Sequence, residues 1–282
     1  MKRTPRVAAI HDMSGFGRCS LTIVMPVLSA MGAQCCPLPT AYLSTHTGGF
    51  PGNTFLDMTD AMSDAMEHWK QLGLRFDAVY TGFMGEHRQM TLAADFIRAV
   101  RDENTVVVVD PVMGDHGKLY RTYTPEMCAA MRRMAQLADV VVPNRTEAAI
   151  LLDVPYDSMD MSRSGVAETV KRLSMEGRRS VVLTGVSLGE GKTGAACYDR
   201  VSGEVSFAQK DFVGRPFHGT GDLFASVLTG ALVKGQSLYA AADRAAEFVK
   251  LCVAHTAPQD MPERDGVDFE PLLGHLFGRS EL

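Results

Sequence analysis

The chain has no hydrophobic run long enough to cross a bilayer, no basic cluster and no Cys-x-x-Cys pair, and each absence removes a class of function. The apolar run after the basic segment 1–6 extends only from Val7 to Ile10, too short for a signal peptide or a membrane span. A formal charge of −5 argues against a nucleic-acid surface. The six cysteines, at 19, 35, 36, 128, 197 and 252, lack the spacing of a disulfide framework or a zinc site. They read as reduced thiols of a cytoplasmic protein, with Cys35-Cys36 packed in a strand. No repeat, low-complexity tract or linker divides the chain. What is present is an ordinary globular composition, 46% hydrophobic and 22% charged, which suits a single domain over residues 1–282. The 17 methionines suit core gaps and adaptable pockets.

Short apolar runs alternate with helix-length segments. The pattern predicts a strand over 7–10, a glycine-containing loop over 11–17 and a helix from about 20 to 31. A strand over 33–38, a polar loop over 40–54, a helix ending near 72, a strand over 78–83 and a helix over 89–101 follow. Thr105-Val106-Val107-Val108-Val109-Asp110 is the clearest strand, its four consecutive valines suiting burial on both faces of a parallel sheet. A helix over 125–136, a strand over 140–144, helices over 146–152 and 164–176 and a strand over 180–185 continue the alternation. A hairpin (194–198 and 204–208) and helices over 222–234 and 237–254 complete it. This order predicts an α/β fold, a single domain with a mostly parallel central sheet flanked by helices on both faces. In such sheets ligands bind beyond the carboxyl ends of the strands. Asp12, Thr47, Phe83, Asp110, Asn144 and Thr184 follow strand ends and are expected to converge on one edge.

The stretch Phe217-His218-Gly219-Thr220-Gly221-Asp222-Leu223-Phe224-Ala225-Ser226 carries the chemistry. Gly219, Thr220 and Gly221 read as a turn opening into a helix, whose first N–H groups and dipole form an anion hole. Glycine there allows a positive φ and a close approach of the backbone to the anion, so a Cβ at Gly221 is expected to crowd the anion or to forbid the φ. Asp222, in the first turn, is a poor anion ligand; its chemistry suits taking a proton from a nearby hydroxyl as general base. Taken alone, the same residues also suit a plain tight turn with an Asp cap.

A second cluster offers oxygen ligands. Asp110-Pro111-Val112-Met113-Gly114-Asp115 places one carboxylate at the end of the valine strand and another five residues on. Asn144-Arg145-Thr146-Glu147 places an amide and a carboxylate at the next strand end, in a spacing that also fits a capping box. Together these suit Mg²⁺, which takes few carboxylates, several waters and substrate phosphates, and phosphoryl transfer requires such a cation. His46 and His218, each alone, suit loop packing better than catalysis, with His46 favoured by its glycine- and hydroxyl-rich loop.

Over about residues 7 to 255 the chain resembles the pyridoxal/pyridoxamine kinases of the ribokinase superfamily. The resemblance rests on Gly219-Thr220-Gly221-Asp222-Leu223-Phe224-Ala225, the 110–115 and 143–147 motifs, the Thr45-His46-Thr47-Gly48 loop and Thr81-Gly82-Phe83. It implies a ribokinase-like fold and transfer of the ATP γ-phosphate to the 5′-hydroxymethyl group of a vitamin B6 vitamer. Asp222 would be the base and 219–221 the anion hole. Asp110, Asp115, Asn144 and Glu147 would surround Mg-ATP, with Asp110 and Glu147 meeting Mg²⁺ directly or through water, and Thr184 would lie at the nucleotide. Thr47 and Phe83 would meet the ring substrate in a pocket that also takes in Asp12 and His46. A segment over 116–124, with Lys118 and Arg121, would cover the phosphates. The family also implies a monovalent cation such as K⁺ and a homodimer.

Asp12 departs from the family: many pyridoxal kinases have Ser, in a Ser-His context, where this chain has Asp12. Hydroxymethylpyrimidine kinases carry an Asp in that neighbourhood, which keeps a role in thiamine synthesis open. A carboxylate in a shielded pocket predicts preference for a ligand bearing an amine, pyridoxamine first, unless Asp12 instead caps the helix near Ser20 or pairs with Arg18. A nucleotide-binding oxidoreductase is disfavoured because Gly15-x-Gly17 lacks the third glycine of the dinucleotide fingerprint. A non-catalytic sensor is disfavoured because Asp222 is present.

Overall fold

The computed structural model describes residues 3–277. In chain order the elements are β1 (Arg6–Phe16), α1 (Leu21–Ala30), β2 (Gln34–Thr45), β3 (Phe55–Asp57), α2 (Thr59–Gln71), β4 (Ala78–Thr81), α3 (His87–Val100) and β5 (Val106–Val109). The order continues with β6 (Gly114–Asp115), β7 (Lys118–Leu119), α4 (Pro125–Ala135), β8 (Val140–Val141), α5 (Arg145–Leu152), α6 (Arg163–Leu173) and β9 (Ser180–Val186). It ends with β10 (Lys192–Tyr198), β11 (Val205–Asp211), α7 (Thr220–Val233) and α8 (Leu238–Thr256). Nine strands form one sheet in the order β11-β10-β9-β8-β5-β4-β1-β2-β3. The six central strands run parallel; β3 at one edge, and β10 and β11 at the other, pair antiparallel.

The alternation of side chains across the pleat explains the two-sided burial. In β1, Val7 and Ala9 face one core while Ala8 and Ile10 face the other; in β5, Val108 and its neighbours Val107 and Val109 divide the same way. One core is closed by α1, α7 and α8, the other by α2 to α6. Helix α7 is apolar all round and buried from Leu223 to Ala231, as expected of a helix sandwiched between the sheet and two other helices. Its amino terminus is therefore held rigidly against the sheet.

Two loop assignments are corrected. Residues 11–16 continue β1 and residues 40–45 continue β2, because these two neighbours pair in parallel as far as Phe16 and Thr45, across a register shift between His11 and Met13. The glycines in 11–17 suggested a loop, but Gly15 lies within the strand, where an added Cβ would meet the Tyr42 hydroxyl at 2.8 Å. The segment after Asp115 is a small hairpin, β6 with β7, turning through His116 (φ 50°) and Gly117 (φ 76°), which is type I′ turn geometry.

Chain connections leave β1 toward β2 on one side and return to β4 on the other, so the order reverses between β1 and β4. A crevice opens beyond the carboxyl ends at such a switch point. Asp12 lies at the register shift within β1, while Phe83 follows the end of β4 and Asp110 the end of the adjacent β5.

Candidate active site

Gly219 caps α7 with φ 79°. A Cβ there would lie 2.2 Å from the Arg18 carbonyl oxygen and 2.7 Å from Ile23 Cδ1, so both conformation and space demand glycine. Gly221 differs: it is helical, it is absent from the positive-φ residues, and a Cβ would have no neighbour within 4 Å. Its glycine is thus not required by the backbone, contrary to the φ expectation; what it provides is open space over the first turn. Among the described residues no hydrogen bond takes up the N–H groups of Thr220, Gly221 or Asp222, as befits first-turn donors.

Asp222 projects from this turn toward the segment before α1. Its Oδ2 accepts from the Ser20 N–H at 2.9 Å and from the Cys19 thiol at 3.4 Å. Burial raises the carboxyl's pKa, and the Ser20 and Cys19 bonds partly offset the rise. The Cys19 thiol is held well above its ordinary value, by burial first and by the Asp222 charge second, so it is a donor and not a thiolate. Asp222 Oδ1 has no described hydrogen bond and remains the free acceptor.

Asp12 is almost fully buried and both of its oxygens are engaged, Oδ1 by the Ser20 hydroxyl at 2.5 Å and Oδ2 by the Ser14 hydroxyl at 3.2 Å. Burial raises its pKa to about 6, against the Ser20 bond, with the Asp222 charge adding to the rise. Arg18 instead pairs with Asp268 and Glu270, both at 2.8 Å. Neither alternative expected for Asp12 is realised, since it neither caps α1 nor pairs with Arg18: its two oxygens accept from the Ser20 and Ser14 hydroxyls instead.

The oxygen cluster assembles across β5 and β8. Asn144 and Glu147 form a reciprocal capping box on α5. Glu147 Oε2 accepts from the Asn144 N–H at 2.9 Å and Oε1 from the Met113 N–H at 3.1 Å, while Asn144 Nδ2 donates to the Gly114 carbonyl at 2.9 Å. The structural role of this motif is therefore real, and each Glu147 oxygen still keeps a lone pair. Burial pushes both Asp110 and Glu147 upward, and for Asp110 the charges of Glu147 and Asp222 add to it. Neither carboxylate has a basic partner among the described ion pairs. Hard, uncompensated oxygens of this kind fit a divalent cation shared with phosphates. No group of three or more His, Cys, Asp or Glu among the described residues could hold a metal by itself. Asp115 is exposed and accepts from the His116 N–H. The Thr184 N–H donates to the Pro143 carbonyl at 2.9 Å, which places the Thr184 side chain beside the end of β8. Lys118 and Arg121 are exposed.

In the loop after β2, His46 uses both ring nitrogens within the protein: Nε2 lies 2.6 Å from the Arg264 carbonyl and Nδ1 accepts from the Gly48 N–H at 3.1 Å. Its ring sits 4.8 Å from that of His218 and 4.9 Å from that of Phe50. His46 thus ties the 46–50 loop to Arg264 beyond α8 and packs it on His218 before α7, with no ring nitrogen left for a ligand. Thr47 is exposed on that loop, and Phe83 packs 6.2 Å from Tyr123 at the end of β4.

Sequence reasoning missed Cys19, Ser20 and His11. His11 is fully buried, edge-on to Tyr80 at 4.3 Å, and burial lowers its pKa to about 3, a drop the Tyr80 backbone only partly offsets. The available signal for Ser20 was its place before an apolar helix; its hydroxyl turns to Asp12 and makes no cap. A notch of about 300 Å³ beside Arg101, Asp139 and Arg200 lies at the amino ends of the strands, away from this site.

A family model described as phosphomethylpyrimidine kinase matches residues 26–263. A protein of Bacteroides thetaiotaomicron, provisionally assigned as a phosphomethylpyrimidine kinase and crystallised with pyridoxal, is 41% identical, with 97% of this chain and 96% of that one covered and a TM-score of 0.92. Pyridoxal kinase from Lactobacillus plantarum is 30% identical over 97% of each chain, with a TM-score of 0.89. The pyridoxine kinase of Bacillus subtilis is 31% identical over 66% of this chain and 67% of its own length. With this sheet, this helix terminus and these relatives, the chain belongs to the phosphomethylpyrimidine kinase family, alongside the pyridoxal and pyridoxine kinases.

Proposed function

We propose that this protein is an ATP-dependent kinase that phosphorylates the 5′-hydroxymethyl group of a vitamin B6 vitamer. The observation that carries this is the amino terminus of α7, where three unused N–H groups and a part-buried carboxylate with one free oxygen meet beyond a switch point. The likeness to a protein crystallised with pyridoxal supports the ring substrate. Asp222 Oδ1 takes the hydroxyl proton as the substrate oxygen bonds to the γ-phosphorus and the bond to ADP breaks. The Thr220 and Gly221 N–H groups receive the charge on the transferred oxygens. Asp110 and Glu147 would hold Mg²⁺, directly or through water; when bound it neutralises the phosphate charge. Asp115, Asn144 and Thr184 line the nucleotide side, and Thr47 and Phe83 the ring side, with His46 fixing the loop that carries Thr47.

The test is a screen of the purified protein with ATP and Mg²⁺, with and without K⁺, against pyridoxal, pyridoxamine, pyridoxine and hydroxymethylpyrimidine. Formation of a B6 5′-phosphate is expected. Turnover of the pyrimidine alone would replace this reading with the one the family model's description favours. We further propose a cytoplasmic homodimer. Reduced thiols support the location: all six cysteines are free. No helix among the described residues is long and apolar enough to cross a membrane. Phe16, Tyr42, Phe55 and Leu56, exposed along the β1–β2–β3 edge, support a second copy as the cover. Light scattering of the eluted protein distinguishes dimer from monomer.

A further inference from the structure

Ser20 holds a backbone conformation that side chains avoid, and everything around it works to keep it there. Its φ of 51° and ψ of −131° lie outside the left-handed helical region, in the conformation of the first central residue of a type II′ turn, where glycine is the usual occupant. Ser20 is nearly fully buried and stands at the amino end of α1, yet its side chain makes no capping bond. The hydroxyl is drawn to Asp12 Oδ1 at 2.5 Å, and Asp12 is braced by the Ser14 hydroxyl on its other oxygen. The backbone N–H, turned by this conformation, points at Asp222 Oδ2 at 2.9 Å. A bridge between Met13 and Ser20 ties the segment to β1.

We propose that Ser20 and Asp12 are positioning residues for Asp222: the buried carboxylate of Asp12 anchors the Ser20 hydroxyl, this anchor keeps the strained backbone in place, and the Ser20 N–H fixes one oxygen of Asp222 so that the other faces the substrate hydroxyl. The inference rests on the kinase reading above. Strain of this kind persists only where surrounding contacts over-determine it. Here those contacts converge on the orientation of one side chain. A carboxylate free to rotate about its χ angles would present its acceptor oxygen correctly only part of the time, and misplacement of a reacting group by about 1 Å costs on the order of 10²-fold in rate. The role also explains why Asp12 is deeply buried and fully bonded in a crevice meant for ligand.

The test compares three variants by steady-state kinetics. Ser20→Ala removes the anchor and keeps the conformational penalty, so the backbone relaxes and the N–H turns away. We expect kcat to fall by roughly 10–100-fold, within the range of a misplaced base, with KM for ATP unchanged. Ser20→Gly also removes the hydroxyl but adopts the turn without strain, so its kcat should lie at least several-fold above that of Ser20→Ala. A residue that merely packed would show the opposite order, alanine filling the space better than glycine. Asp12→Asn keeps an oxygen able to accept from Ser20 and should stay nearer to wild type than Ser20→Ala. Equal kcat in wild type and Ser20→Ala, or alanine above glycine, overturns the proposal. So does an Asp12→Asn variant whose only change is the ratio of pyridoxamine to pyridoxal turnover, which would make Asp12 a reader of the ligand amine. If wild type itself turns over none of the vitamers or the pyrimidine, the kinase reading fails first. In that case the positioning is tested by whether Ser20→Ala, and not Ser20→Gly, displaces the Asp222 side chain in a crystal structure; an unmoved Asp222 overturns it.

Discussion

Asp222 and the two glycines before it show how differently neighbouring residues are constrained. Asp222→Asn keeps the size of the side chain and its bond from the Ser20 N–H while removing the base. Loss of a general base costs about 10²–10⁴ in rate, so kcat should fall by that order while nucleotide affinity, read by calorimetry, changes little. Near-normal turnover would remove Asp222 from the mechanism. Gly219→Ala and Gly221→Ala should separate folding from chemistry. At Gly219 an added Cβ meets the Arg18 carbonyl at 2.2 Å with φ at 79°, so Tm should drop and activity with it. At Gly221 the backbone is helical and the space is empty. Alanine exceeds glycine in helix interiors by about 0.8–1 kcal/mol and by less in a first turn. Tm should therefore hold or rise while kcat falls, because under the proposed function the methyl group would stand where the phosphate approaches. A fully active Gly221→Ala would mean that the anion does not approach this turn.

At the scale of the element, the capping box on α5 performs two tasks with one pair of side chains. Asn144 and Glu147 satisfy each other's N–H groups, and Glu147 reaches across to the Met113 N–H that follows β5. The pair therefore fixes the Asp110–Asp115 turn relative to α5, and under the proposed function its Glu147 oxygens would also support a cation. Glu147→Gln keeps an acceptor and removes the charge. The Mg²⁺ concentration for half-maximal activity should rise by on the order of 10–100-fold, as for loss of a group that supports a metal. An unchanged Mg²⁺ titration would confine Glu147 to capping. The parallel pairing of β1 with β2 likewise carries Asp12 and the 46–50 loop to the same edge, so that a segment with loop-like composition becomes a rigid wall.

For the molecule as a whole, buried titratable groups predict how stability follows pH. His11 has a folded-state pKa of about 3 against 6.5 when free, so the folded protein loses stability as pH falls below 6.5 toward 3. The carboxylates act in the opposite sense. Asp12 is raised to about 6 and Glu147 to about 8, with Asp110 raised as well, chiefly by burial. Their contribution is fully present below the ordinary carboxylate values and is lost as pH rises through the folded ones. Between pH 4 and 6 the two effects oppose each other. Above about 6.5 the His11 effect fades, and the raised carboxylates, Asp110 and Glu147 with Asp222, act in the other sense. The ligand-free protein should therefore lose Tm between pH 6.5 and 8, and Mg²⁺ with nucleotide should restore it by compensating the charge. Glu147→Gln should flatten the slope. A Tm that rises over this interval, or an identical slope in the variant, would show that these carboxylates are not the uncompensated pair described.

The residues that do local work were legible in the chain. Periodicity marked the valine strand and the helices, because burial on both faces of a parallel sheet leaves a continuous apolar run. Gly219-Thr220-Gly221-Asp222 marked the turn that opens α7, because a glycine cap and a first-turn carboxylate are local features. The extent of β1 and β2 was not legible, since it depends on pairing between segments whose glycines, prolines and hydroxyls suggest loops. Nor was the distinction between Gly219 and Gly221, which arises from the Arg18 carbonyl lying against one and open space against the other. Asp12 makes the same point most sharply. From the sequence it was an unpaired charge at a strand end, free to read a ligand. Folding brings Ser20 within hydrogen-bond reach of it and Asp222 within reach of the Ser20 N–H. Sequence alone named candidate groups for the chemistry; only tertiary contact decided which oxygen of which carboxylate stayed free of a protein partner, because hydrogen bonds between residues 202 positions apart leave no trace in local pattern.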